Sequence, residues 1–292
     1  MYASQPVGDV IDISIVASSG LTPAGQIVLG QKSFPIGLGV DRARRLYVTI
    51  TALLGSPAVP SVEVFAPGKT QPSKTYKQGL SGPIDVAVDG GGTVYVADLE
   101  QNGGGGCASL SGDAQVVEYA KGSLTPSAVI NDFPGCIGGV ALDASGNLYL
   151  TYTYYPSSGP VQSDVVEYAP GSTTGTHLGL GAPGGLFLEG IAVAANGTII
   201  VANNQDDDTL NQILSYAPGS SAPTSSFEYG GLAPWPSQHF GFLDGRLYAP
   251  AYVAQNFGSV VAEFAYPSGK QLFAQDPALV APAFVYGFAA SR

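Results

Sequence analysis

The sequence predicts an all-β protein assembled from a repeated four-stranded unit, and three observations predict it. Apolar and polar residues alternate with a period of two in short runs. Glycine and proline, 40 and 22 of the 292 residues, interrupt those runs at tight turns. A two-part motif then recurs along nearly the whole chain.

The composition narrows the class further. Gly and Pro in this abundance are compatible with disorder, but 45% hydrophobic residues, with 16 Tyr and 12 Phe, supply the apolar surface that a disordered chain lacks. Charged residues make up only 11%, against about 25% in a typical globular domain. The net charge of −11 and pI near 4.3 exclude binding to a nucleic-acid backbone, whose phosphates would be repelled. No apolar run reaches the roughly 18 residues of a membrane-spanning helix. The length would suit two average domains, yet all-β folds of this size often form one unit.

The first part of the motif is an apolar strand, a Gly-containing turn (usually with Asp), and an aliphatic-Tyr-aliphatic strand. It reads GLGVDRARRLYV from Gly37, DVAVDGGGTVYV from Asp85, GVALDASGNLYL from Gly139, GIAVAANGTIIV from Gly190, and a shortened GFLDGRLY from Gly241. The second part is a strand ending in a turn: VEVFAPG at 62–68, VVEYAKG at 116–122, VVEYAPG at 165–171, ILSYAPG at 213–219 and VAEFAYPSG at 261–269. Tyr47, Tyr95, Tyr149, Ile200 and Tyr248 occupy equivalent positions, separated by 48, 54, 51 and 48 residues. Tyr2 precedes Tyr47 by 45 residues, and the C-terminal FVYGFAASR reads as the first strand of a unit. From Tyr248 through the C-terminus and on to Tyr2 the step is 46 residues, so the period closes on itself.

A repeat of about 50 residues with four strands is a propeller blade. The expected fold is therefore a six-bladed β-propeller of four-stranded antiparallel blades. Its ring is closed by N- and C-terminal segments that share one blade, which joins the seam by main-chain hydrogen bonds. One domain, 1–292, holds blades near 35–80, 81–135, 136–185, 186–235 and 236–282, with the last formed by 283–292 plus 1–34. The GxAVDxxGxxYVAD pattern with its later V-x-Y/F strand resembles NHL-type repeats. It is more distantly similar to the SMP-30/gluconolactonase and strictosidine-synthase-like propellers. That resemblance implies the fold rather than an activity, because propellers host binding scaffolds and enzymes alike.

Residues recurring at one register in most blades belong to the architecture. Asp12, Glu63, Glu118, Glu167 and Glu263 share a third-strand register and are expected to accept hydrogen bonds between blades. Asp41, Asp89 and Asp143 share a hairpin and read as turn residues. The functional face is expected where blades differ, in the loops between second and third strands (49–61, 97–115, 151–164, 202–212, 250–259) and those leading into each first strand.

Candidate ligand-binding residues on that face are Asp98, Glu100, Tyr152, Tyr154, Tyr155, Asn203, Asn204, Trp235 and His239. Clustered carboxylates and amides, with Asp206, Asp207 and Asp208, fit either a hard cation such as calcium or a solvated acidic loop; Asp98 and Asn203, at matching positions, are also read as loop caps. Glu189, before Gly190, loosely resembles the metal-binding Glu-Gly of SMP-30-like lactonases; Glu189, Asp206 and Asp208 are the candidate metal ligands. The tyrosines either stack on a flat ligand or finish a strand and pack between blades. His177 falls towards the outer strand, which leaves no channel pair of histidines. Gly103–Gly106 lacks the Lys-Ser/Thr of a phosphate loop.

Cys107 and Cys136 map to the same face of neighbouring blades, where a disulfide is geometrically plausible. Such a bond points to a secreted or periplasmic location, with a signal peptide removed. The leading expectation is a monomeric scaffold for a small-molecule, carbohydrate or protein ligand. The alternative is a metal-dependent hydrolase or lactonase with a cation in the channel.

Overall fold

The computed structural model describes residues 2–5, 10–17, 20–29, 33–51, 59–99, 114–181, 187–204, 212–228, 240–243, 245–253, 258–275 and 288–289. Among them the strands pair into six four-stranded antiparallel sheets. Five are runs of consecutive strands. The first sheet holds β4 (Phe34–Val40), β5 (Leu46–Thr51), β6 (Ser61–Phe65) and β7 (Lys74–Tyr76). The second holds β8 (Pro83–Val88), β9 (Val94–Leu99), β10 (Ala114–Tyr119) and β11 (Ala128–Ile130). The third holds β12 (Cys136–Leu142), β13 (Leu148–Tyr154), β14 (Gln162–Tyr168) and β15 (Thr176–His177). The fourth holds β16 (Phe187–Val193), β17 (Ile199–Asn204), β18 (Gln212–Tyr216) and β19 (Ser225–Glu228). The fifth holds β20 (Gly241–Leu243), β21 (Arg246–Val253), β22 (Gly258–Ala265) and β23 (Lys270–Gln275).

The remaining sheet is composite. It joins β24 (Phe288–Ala289) to β1 (Tyr2–Gln5), β2 (Val10–Ala17) and β3 (Gly20–Val28), in the order β24-β1-β2-β3. Tyr2 lies opposite Ala289 and Ala3 opposite Phe288, as the repeat spacing requires. No helix among the described residues is long and apolar enough to cross a membrane.

Sheet packs on sheet in a propeller arrangement, and this explains why second strands such as Leu46–Thr51 are buried on both faces. Alternation here does not separate core from solvent; it separates one neighbouring sheet from the other. Val94 and Val96 join a cluster with Tyr47, Val62 and Tyr76 of the first sheet, whereas Tyr95 and Ala97 face Ile137, Val140 and Leu150 of the third. Likewise Ile199 and Val201 meet Tyr149 and Val165 of the third sheet, while Ile200 and Ala202 meet Leu247, Ala262 and Phe264 of the fifth. Ile11 and Ile27 of the composite sheet pack on Leu46, Val48 and Ile50 of the first.

The innermost strands approach so closely that a side chain is excluded. A Cβ on Gly37 would stand 2.6 Å from Asp85 Cα, and one on Gly138 would stand 2.7 Å from Glu189 Cα. Four first strands, those of the first to fourth sheets, carry a β-bulge near this level: between Pro35 and Leu38, Pro83 and Asp85, Ile137 and Gly139, and Leu188 and Ile191.

The recurring hairpin acids are turn residues, as expected, while the side chain of Asp12 lies outside those described. Asp41 Oδ1 accepts from Ala43 and Arg45 N–H, Asp89 Oδ1 from Gly92 and Thr93, and Asp143 Oδ1 from Ser145 and Asn147. Glu63 departs from the expected register, because it lies opposite Val48 while Glu118, Glu167 and Glu263 lie opposite Tyr95, Tyr149 and Tyr248. Glu167 and Glu263 depart in another respect, because their partners lie within the blade rather than across blades. Tyr149 donates to Glu167 at 2.9 Å from the directly opposite position of β13, and Glu263 lies opposite Tyr248 and accepts from Arg246. Direct cross-strand pairing explains this, since opposed side chains on one face are the nearest neighbours available. Burial holds Glu63 above the usual carboxylate range, with Lys77 acting against it.

Candidate binding site at the mouth of the propeller

The end of the propeller at which second strands finish and first strands begin carries every described candidate. Several stretches read from sequence as loop are strand here. β9 runs to Leu99, β13 to Tyr154 and β17 to Asn204, so Asp98, Tyr152, Tyr154, Asn203 and Asn204 belong to the sheets themselves. The loop read as 151–164 shortens to 155–161, because alternating Thr and Tyr in Thr151-Tyr152-Thr153-Tyr154 extend the ladder opposite 162–165. Glu189 likewise lies in β16 rather than in a loop.

Asp98 is fully buried, and its carboxylate is committed to the protein. Ser81 N–H donates to both oxygens at 3.0 and 3.2 Å, Ser81 Oγ–H at 3.2 Å, Gly82 N–H at 2.8 Å and Gln115 Nε2 at 3.1 Å. It therefore fixes the segment leading into β8, the capping role, and leaves no oxygen directed at a ligand. Asp85 bridges two sheets: its oxygens accept from Val86 N–H in its own strand and from Val140 N–H in β12, both at 2.8 Å. Asp164 Oδ1 accepts from Val165 and Leu180 N–H at 2.7 Å. Sequence reasoning passed over Asp85 and Asp164. Neither recurs in the repeat, and only the bulge and the path of the lead-in segment reveal what they hold.

A second set of clamps comes from the third strands. Tyr119 donates to Gln78 C=O at 2.5 Å, Tyr216 to Leu180 C=O at 3.0 Å and Tyr168 to Asp132 at 2.6 Å. Burial raises the phenol of Tyr216 to about 12, helped by the charge of Asp164. These tyrosines tie each lead-in segment to the sheet that it enters.

Tyr152 is 8% exposed and stacks on Phe133 at 6.4 Å between ring centroids, so it packs between blades rather than offering a face to a ligand. Its hydroxyl lies 3.4 Å from His177 Nδ1, which is 3.5 Å from Asp164 Oδ2. His177 is thus drawn to the mouth edge, although it sits on the outermost strand. Tyr154 and Tyr155 remain half-buried at the rim.

Glu189 is buried at the inner-strand bulge, where its C=O accepts from Thr151 Oγ1–H at 2.5 Å. Among the described residues no group of three or more His, Cys, Asp or Glu side chains could hold a metal ion. Cys136 begins β12 and is buried. Glu100, Cys107, Asp206, Asp207, Asp208, Trp235 and His239 lie outside the described residues.

Fold and mouth together define a β-propeller. Solved structures share it at low identity. A protein of unknown function from Bacteroides caccae matches with TM-score 0.64 and 10% identity over 99% of this chain and 97% of that one. The WD40 β-propeller domain of Doa1 gives 0.58 and 10% over 98% and 81%. A chain of the mitotic checkpoint complex gives 0.57 and 10% over 99% and 80%. At this identity the likeness concerns the fold alone. No protein-family model matches the sequence, and no curated protein sequence matches it.

Proposed function

We propose that this protein is a binding scaffold that presents its mouth to a protein, carbohydrate or small-molecule ligand, and that the composite terminal sheet acts as the sixth blade of an NHL-like ring. The observation that carries the reading is what the mouth acids do. Asp85, Asp98 and Asp164 hold backbone N–H groups of first strands and lead-in segments, so the connections at this end stand on a rigid frame while differing in sequence from blade to blade. Rigid frames with variable rims are how propellers and other superfolds acquire binding specificity.

The competing reading, a lactonase or other hydrolase with calcium or another divalent cation held by Glu189, Asp206 and Asp208, predicts a different experimental result. Purified protein is assayed for bound metal and challenged with panels of lactones, esters, glycans and displayed peptides, with the fluorescence of Trp235, the single tryptophan, as reporter. The scaffold reading expects saturable binding without turnover. A stoichiometric cation with turnover that is lost in Glu189→Gln overturns it. We further propose a Cys107–Cys136 bond and hence an oxidising compartment, secreted or periplasmic. Non-reduced peptide mapping showing two free thiols in protein made under oxidising conditions would remove both inferences.

A further inference from the structure

One position recurs at the mouth of four sheets, and its occupants differ in a way that isolates one of them. The second-strand residue opposite the start of the first-strand bulge is Ile50 (facing Pro35), Asp98 (facing Pro83), Tyr152 (facing Ile137) and Asn203 (facing Leu188). By the alternation of its strand each points towards the preceding sheet. Ile50 is satisfied by apolar packing, Asp98 by N–H donors, and Tyr152 by Phe133. Asn203 is 1% exposed, yet neither its Nδ2 nor its Oδ1 has a hydrogen-bond partner among the described residues.

Across from it the polar groups are open too. Ile199 and Val201 share a cluster with Tyr149 and Val165, so Asn203 faces the third sheet. There Thr153 and Ser163 lie opposite one another, and neither hydroxyl has a partner among the described residues. Thr151, two residues earlier on the same face of β13, does reach the fourth sheet through Glu189 C=O. A buried amide left unpaired at both ends is costly, and native structures retain such groups where something else completes them.

We propose that Asn203 is a recognition position for the backbone of an extended peptide from a partner protein, inserted between the third and fourth sheets at the mouth. This rests on the scaffold reading above and names its partner class. A carboxamide presents one donor and one acceptor side by side. An extended residue presents its own N–H and C=O on one edge, so the two pair at two points, and Thr153 and Ser163 supply adaptable hydroxyls beside them. An anion is disfavoured because Asp164 adjoins Ser163 and Glu189 adjoins Leu188, and a cation would leave Nδ2 unpaired. At 1% exposure the paired amide is shielded from water, where a neutral two-point pair is strongest.

The test uses the full chain and a phage-displayed random dodecapeptide library selected on the wild type, with Asn203→Leu and Asp98→Leu as near-isosteric variants. Removing a buried amide unpaired among the described residues should raise the melting temperature of Asn203→Leu, while Asp98→Leu should lower it, because Asp98 has internal partners. Selected peptides should lose about tenfold or more in affinity for Asn203→Leu, as expected for two buried neutral hydrogen bonds. Destabilisation by Asn203→Leu would make Asn203 a clamp like Asp98 and overturn the proposal. Peptides that bind both proteins equally would overturn it while leaving the scaffold reading intact. A site holding only ordered water, with no peptide selected, would overturn it as well; failure of every ligand panel would take the scaffold reading with it.

Discussion

Replacing Asp98 by alanine tests whether mouth carboxylates build the frame. The substitution removes the acceptor for Ser81 N–H, Gly82 N–H, Ser81 Oγ–H and Gln115 Nε2 in one step, at distances of 2.8 to 3.2 Å. The side-chain donors can turn to water. The two N–H groups are fixed by the backbone, and Gly82 is buried, so each loses a charge-assisted bond without an easy substitute. At about 1.5–3 kcal/mol for each hydrogen bond to a charged group, the loss of the two comes to about 3–6 kcal/mol. For a chain of this size that lowers the melting temperature by about 10 °C. Asp98→Asn keeps the shape and one acceptor oxygen but directs an NH2 group at a donor, and should lie between wild type and alanine. Urea unfolding followed by circular dichroism reads both variants. A loss below about 1 kcal/mol for Asp98→Ala would refute the reasoning, since the segment leading into β8 would then be held by something else.

Three further outcomes follow from the same architecture. Gly138→Ala, forced against Leu188 C=O and Glu189 Cα of the neighbouring inner strand, should cost at least as much as a typical overpacked core substitution, about 1–3 kcal/mol, whereas Gly171→Ala in an open turn with positive φ should cost about 1 kcal/mol; equal losses in urea titrations would argue against the close approach. Deleting residues 284–292 removes β24 from the edge of β1 and should lower the melting temperature by well over the couple of degrees that a surface truncation produces. Burial raises Tyr95, Tyr216 and Tyr248 to about 12. Below about pH 10 folded and unfolded chains both keep these protons; between about 10 and 12 only the unfolded chain loses them, so stability falls as pH rises through that window. Absorbance at 295 nm during alkaline unfolding checks this, and phenolate appearing near pH 10 in folded protein would contradict it.

Much of the fold was legible because the repeat reports it twice. The Tyr47-to-Tyr248 spacing gave the unit, and the broken unit at each end gave the pairing of β24 with β1. The turn role of Asp41, Asp89 and Asp143 followed from recurrence, and the hydrogen bonds bear it out. The mouth was less legible, for a physical reason. A second strand buried on both faces continues past the repeated motif with whatever side chains suit its two neighbours, so Asp98, Tyr152 and Asn203 looked like loop residues. Asp85 and Asp164 act once each, at a bulge and at a lead-in segment, and no pattern in the chain distinguishes them. What separates Asn203 from Asp98 is the presence of partners in three dimensions, which sequence spacing does not encode.

The claim that the mouth is the recognition face is tested most directly by hydrogen–deuterium exchange on the complex with a peptide selected as above. The account predicts added protection in segments 151–155, 162–164, 178–181 and 199–204, with the hairpins at 41–45, 89–93 and 143–147 unchanged. Protection confined to those hairpins, at the opposite end of the sheets, would contradict it.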